Sequence, residues 1–127
     1  MTENEIATVI VDAAYKIHKQ FGPGLLESAY AAVLHYELTS RGLRVAVEQP
    51  IPLIYEAVRI EVAYKADLIV EDKVIIELKS VEKTAPVHYK QLLTYLKLAD
   101  KRLGLLINFG APLIKHGITR VVNGLSD

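Results

Sequence analysis

The stretch Ala66-Asp67-Leu68-Ile69-Val70-Glu71-Asp72-Lys73-Val74-Ile75-Ile76-Glu77-Leu78-Lys79-Ser80 holds two apolar runs on either side of a short polar turn. The runs are rich in β-branched residues, which predicts a hairpin of buried strands, roughly 64–71 and 74–80. Three charges lie inside them: Asp67, Glu77 and Lys79. A charge in a buried strand is costly unless it is paired or binds a metal. Glu77 and Lys79 are two apart and share one side of a strand. Directly opposed residues of an antiparallel pair share a face, so Asp67 joins them only if it lies opposite Glu77. That register puts Val70 opposite Val74 and predicts a three-residue loop, Glu71-Asp72-Lys73, or a bulge with the same effect. A two-residue turn would set Asp67 against Leu78 or Ile76 and send it to the wrong face.

Asp67 and Glu77 are hard oxygen ligands of the kind that suit Mg²⁺, or Mn²⁺ as its substitute. The backbone carbonyl of Leu78 lies between Glu77 and Lys79 and is a candidate further ligand. Lys79 could orient or deprotonate a water, or stabilise charge on a scissile phosphate. Together these groups suit metal-assisted phosphodiester hydrolysis. The same three residues read equally well as a structural ion-pair cluster near a sheet end, because their spacing arises easily by chance.

Working outward, Ile6, Val9, Ile10, Ala13, Ala14 and Ile17 recur at helical spacing and predict a helix over 3–20. Thr2 or Asn4 would cap it, and Phe21-Gly22-Pro23-Gly24 would stop it. A second helix is expected from Leu25 to Arg41, with Gly42 as its C-terminal cap. Glu27 in its first turn suits the helix macrodipole, and Tyr30 lies over the same face. Residues 44–63 read as a β-meander: a short run at Val45–Val47, an edge or bulged strand around Pro50 and Pro52, and a strand over Val58–Ala63 with one wet face. A third helix over 85–99 has Thr84 as a candidate cap and Pro86 near its first position. Leu103–Phe109 reads as a buried strand and Gly117–Val122 as an edge strand. The expected fold is a mixed α/β sandwich, and residues 1–127 are expected to form a single domain. No Gly-rich phosphate loop follows a first strand.

The chain has no cysteine, which excludes disulfides and thiolate metal sites and suits a reducing cytoplasm. The polar, acidic N-terminus does not suit a signal peptide, and no apolar run is long enough to span a bilayer. Basic and acidic residues number 15 each, giving a net charge of zero, which counts against strong non-specific DNA binding. A local basic rim could form from Lys65, Lys73, Lys79, Lys83 and Lys90, or from Lys97, Lys101 and Arg102. His18, His35 and His116 have no zinc-ligand spacing.

Several separated motifs then resemble one family in order and spacing. They are Gly24-Leu25-Leu26-Glu27-Ser28-Ala29-Tyr30, Tyr64-Lys65-Ala66-Asp67-Leu68-Ile69-Val70, Ile76-Glu77-Leu78-Lys79, Gln91-Leu92-Leu93-Thr94-Tyr95-Leu96, Gly104-Leu105-Leu106-Ile107-Asn108-Phe109 and Gly117-Ile118. Across nearly its whole length the chain resembles the GxxExxY proteins, placed in the PD-(D/E)XK nuclease-like superfamily. The resemblance implies a nuclease-like core: helix, three-stranded antiparallel meander, helix and strand, with the site at one edge of the sheet. It implies Asp67 and Glu77 as metal ligands and Lys79 as the catalytic lysine. It turns Glu27 from a helix-start residue into a candidate ligand, adds Gln91 from the third helix, and gives Tyr30 and Tyr95 supporting places. The motif's proline is Ala66 here. His88, three residues before Gln91, could face the site or serve as a surface residue. The implied activity is that of a Mg²⁺-dependent deoxyribonuclease. The alternative is a catalytically inactive nucleic-acid-binding or assembly module that keeps the fold. Small size and neutral charge favour weak or partner-assisted DNA binding, or a homodimer that widens the footprint.

Overall fold

The computed structural model describes residues 1–126. Helix α1 (Glu3–Phe21) opens with a capping box in which Thr2 and Glu5 bond each other's backbone N–H groups. Helix α2 (Glu27–Ser40) follows, then strands β1 (Val45–Tyr55), β2 (Val58–Val70) and β3 (Val74–Lys79). Helix α3 (Pro86–Ala99) leads to β4 (Leu103–Asn108), a short 3₁₀ turn and β5 (Ile118–Val122). The five strands form one sheet in the order β1-β2-β3-β4-β5. β3 and β4 run parallel and the other neighbours antiparallel. The parallel pair needs a crossover, and α3 supplies it.

Each face of the sheet has its own apolar cluster. On one face α1 and α2 bring Ile6, Ile10, Ile17, Leu34 and Leu38 against Leu68, Val74, Ile76, Leu105 and Ile107. On the other, Leu92 and Leu96 of α3 pack on Ile69, Ile75 and Leu106. Gly104 lets α3 sit close, since a Cβ there would lie 2.9 Å from Leu92. The result is a layered sandwich, as the hydrophobic pattern predicts.

The central hairpin has the expected register. Val70 pairs with Val74, Ile69 with Ile75 and Leu68 with Ile76, leaving Glu71-Asp72-Lys73 as the loop. Glu71 and Asp72 take left-handed backbone conformations there.

Three expectations need correction. Val45–Val47 and Ile51–Tyr55 are parts of one edge strand, and Val58–Ala63 continues into the hairpin strand as one 13-residue β2. Pro50 and Pro52 do lie on the edge, beside a register shift between Ile51 and Leu53. Residues 58–63 are exposed on both faces, because the distal β1–β2 hairpin extends past the helices that would cover it. Helix α3 is capped at Ala85 and not at Thr84, whose hydroxyl bonds Tyr89 instead.

Candidate active site

The site forms where β2 and β3 part. Their ladder ends at the pair Leu68–Ile76, and Asp67 and Glu77 are the next residues outward on the two strands. Here Asp67 Oδ2 accepts the Leu78 N–H at 2.8 Å. Asp67 N lies 3.5 Å from Glu77 Oε1, a long contact, and the two carboxyl groups are near enough to interact directly.

The alternation of both β1 and β2 slips at this point. Tyr64 and Ala66 pack on the α3 side, whereas Leu68 and Val70 pack on the α1–α2 side. Strict alternation would put Ala66 and Leu68 on one face. On β1, Ala46 and Ile51 share the α3-side cluster although five residues separate them. Glu48, between the pairs Val47–Leu68 and Gln49–Ala66, has φ 49°. The kink re-aims the Asp67 segment, a known use of strand irregularities beside active sites.

Glu77 is buried, at 9% relative exposure, between the apolar Ile76 and Leu78 on its strand. Burial, and then the nearby charge of Asp67, push its carboxyl up to about 8. Its Oε1 accepts a hydrogen bond from the Tyr64 hydroxyl at 3.2 Å. The Tyr64 ring stacks on Tyr95 of α3, with centroids 3.4 Å apart and planes 10° from parallel. Burial, with the Glu77 charge next in size, raises the Tyr64 phenol well above its ordinary value and keeps it a donor.

Lys79 is half-buried at the end of β3, on the Glu77 side by alternation, and makes no ion pair among the described residues. Its carbonyl accepts the Phe109 N–H at 2.9 Å, on the β4 side. Alternation therefore turns the Leu78 carbonyl toward the β2 side, where Asp67 lies.

Glu27 is exposed at the first position of α2 and lines a cleft of about 640 Å³ with Asp67, Glu48, His35, Leu26 and Val47. It does not join Asp67 and Glu77 in a cage: among the described residues no three His, Cys, Asp or Glu side chains gather closely enough to hold a metal ion. Gln91 is exposed on α3 and makes no hydrogen bond among the described residues, so it lies one turn before Tyr95 without touching the carboxylates.

The other expected residues support the frame. Tyr30 is fully buried and stacks on Phe109, with centroids 4.3 Å apart. Its hydroxyl donates to Gly22 O and accepts the Leu25 N–H at 3.1 Å, so it pins the loop before Glu27. Ser80 Oγ donates to Leu25 O at 2.7 Å and ties the same loop to the end of β3. His88 caps α3, accepting the Ala85 N–H at Nδ1 (3.1 Å), and makes no hydrogen bond to the carboxylates among the described residues. Of the expected basic rim, Lys101 is paired with Asp72 and Lys73 donates to Met1 O.

Three contributions lay outside the sequence reading. Tyr64 opens the Tyr64–Val70 motif, and nothing in its spacing marks it as a partner of Glu77. Asn108, buried at 3%, accepts N–H groups from Val81 and Gly110 and donates to Val81 O, which locks the loop after Lys79 to β4. Glu48 sits in an ordinary strand pattern, and no glycine flags its backbone.

A scan against protein-family models matches the one described as the PD-(D/E)XK nuclease superfamily over residues 4–121. Searches of the curated proteins and of the solved structures returned no significant match. No helix of the described residues is long and apolar enough to cross a membrane.

Proposed function

This chain belongs to the PD-(D/E)XK nuclease superfamily, and from that premise we propose that it is a divalent-metal-dependent deoxyribonuclease whose site is Asp67, Glu77 and Lys79. The observation that carries the reading is the pair of adjacent carboxylates at the parting of β2 and β3, with Lys79 on the Glu77 side of the strand. Within the superfamily, the Gly24–Tyr30 motif supports a GxxExxY protein.

The donor set fits a divalent cation. A buried carboxyl beside a second carboxylate, with no cationic partner among the described residues, is electrostatically incomplete, and a cation offsets both charges. Two carboxylates with one backbone carbonyl suit Mg²⁺, which keeps several waters and does not need an all-protein cage. Asp67, Glu77 and the Leu78 carbonyl would hold it. Bound there, the cation supplies positive charge to a water nucleophile and to the scissile phosphate.

The remaining steps belong to the chain. Lys79 orients the attacking water or neutralises charge growing on the phosphate. Asp67 keeps β3 in place through the Leu78 N–H while presenting its other oxygen. Glu27 lines the cleft with Asp67 on the substrate side, and Gln91 stands exposed on α3 one turn before Tyr95. The loop before Glu27 is fixed by Tyr30 and Ser80, so the chemistry needs little reordering there.

The test is cleavage of DNA oligonucleotides and plasmid with Mg²⁺ or Mn²⁺, comparing the native chain with Glu77→Ala and Lys79→Ala. Cleavage that is lost in both variants supports the reading. Cleavage that persists in both rejects it. Salt-sensitive binding by the native chain with no product would instead identify a catalytically inactive binding module.

A further inference from the structure

We propose that Tyr64 is a positioning residue that acts through Glu77: its hydroxyl fixes Oε1, so that Glu77 presents its other oxygen to the divalent cation. The proposal rests on the metal-dependent reading of the site.

Three elements meet at this phenol. Tyr64 belongs to β2 and pairs with Ile51 of β1. Its ring lies flat against Tyr95 of α3, and its hydroxyl reaches Glu77 of β3 at 3.2 Å. A carboxylate on a flexible side chain must lose rotational freedom when it binds an ion. Here that freedom is already restricted, because one oxygen has a donor and the donor's ring is clamped by a stack. The other contact to Oε1, from Asp67 N at 3.5 Å, is too long to orient the group alone.

The arrangement accounts for Tyr95 as well. Tyr95 has no hydrogen bond to either carboxylate among the described residues, yet it covers the Tyr64 ring. Its support is therefore indirect: α3 holds Tyr95, Tyr95 holds Tyr64, and Tyr64 holds Glu77. Partners that orient a ligand from behind commonly change metal affinity by about 10- to 100-fold when removed.

Tyr64→Phe keeps the stacked ring and removes only the hydroxyl. Titration of the folded chain with MnCl₂ alone, read by calorimetry, should show Mn²⁺ affinity weaker by about 10-fold or more in this variant. Tyr36→Phe, which alters an exposed ring on α2, should match the native chain. In cleavage assays at fixed Mn²⁺, Tyr64→Phe should lower kcat with KM for the oligonucleotide unchanged, and raised Mn²⁺ should restore kcat. Equal Mn²⁺ affinity in Tyr64→Phe and the native chain overturns the role of Tyr64 alone. A native chain that neither binds Mn²⁺ nor cleaves overturns the reading of the site, and this proposal with it.

Discussion

Asp67 Oδ2 accepts the backbone N–H of Leu78 at 2.8 Å, so a side chain stands where the ladder between β2 and β3 would have its next rung. The sheet opens at that point without leaving a buried donor unpaired. One carboxylate thus has two tasks: it ends the strand pairing and it supplies half of an acidic pair. Those tasks respond differently to substitution.

Asp67→Asn keeps an oxygen for the Leu78 N–H and removes the charge. We expect a folded protein with near-native thermal stability and cleavage reduced by at least about 100-fold, by analogy with loss of a charged group at a catalytic centre. Asp67→Ala removes both functions and leaves the Leu78 N–H without its acceptor, at a cost of about 1–3 kcal/mol. Circular-dichroism melts and cleavage rates of the two variants separate the tasks.

The pH dependence of stability follows from Glu77. Its carboxyl is raised from an ordinary 4.5 to about 8 in the folded chain. Between those values the native state keeps a proton that the unfolded chain releases. Stability from this group is therefore full below pH 4.5 and is lost as pH rises toward 8, at about 1.4 kcal/mol per unit at most. Urea unfolding in EDTA should give a midpoint that falls from pH 5 to pH 8. Glu77→Gln should flatten that slope, since glutamine does not titrate.

Tyr30→Phe tests the frame behind Glu27. The variant keeps the stack on Phe109 and loses the hydroxyl that bridges Gly22 O and the Leu25 N–H. We expect about 1–2 kcal/mol lower stability, from one lost bridging group. The α1–α2 loop should also exchange its amide hydrogens faster, with α1 itself unchanged. Hydrogen exchange resolved to the 22–26 segment checks this.

Much of this architecture is legible in the residues. The hairpin register followed from one requirement, that Asp67 and Glu77 share a place, and Val70 does pair with Val74. The helices followed from apolar spacing, because burial on one face is what that spacing encodes. The continuity of β2 was not legible: residues 58–63 alternate like a half-buried strand, yet both faces are wet. Alternation reports a pattern of side chains, and only tertiary context decides whether anything covers them. Glu27 and Gln91 are suggested by resemblance, and the fold puts Glu27 on the cleft but leaves Gln91 exposed, with no hydrogen bond to the carboxylates among the described residues. Tyr64 and Asn108 act through contacts across the sheet and to loops, which no local spacing reveals. Gly110 is similar: a Cβ there would lie 2.3 Å from Val81 O, a constraint imposed by a distant segment.

The most direct measurement is anomalous scattering from crystals soaked in MnCl₂, with a Glu77→Gln crystal treated alike. The account predicts an anomalous peak between the Asp67 and Glu77 carboxylates in the native crystal, near the Leu78 carbonyl, and none in Glu77→Gln. No peak at saturating Mn²⁺, or a peak that survives in Glu77→Gln, would contradict it.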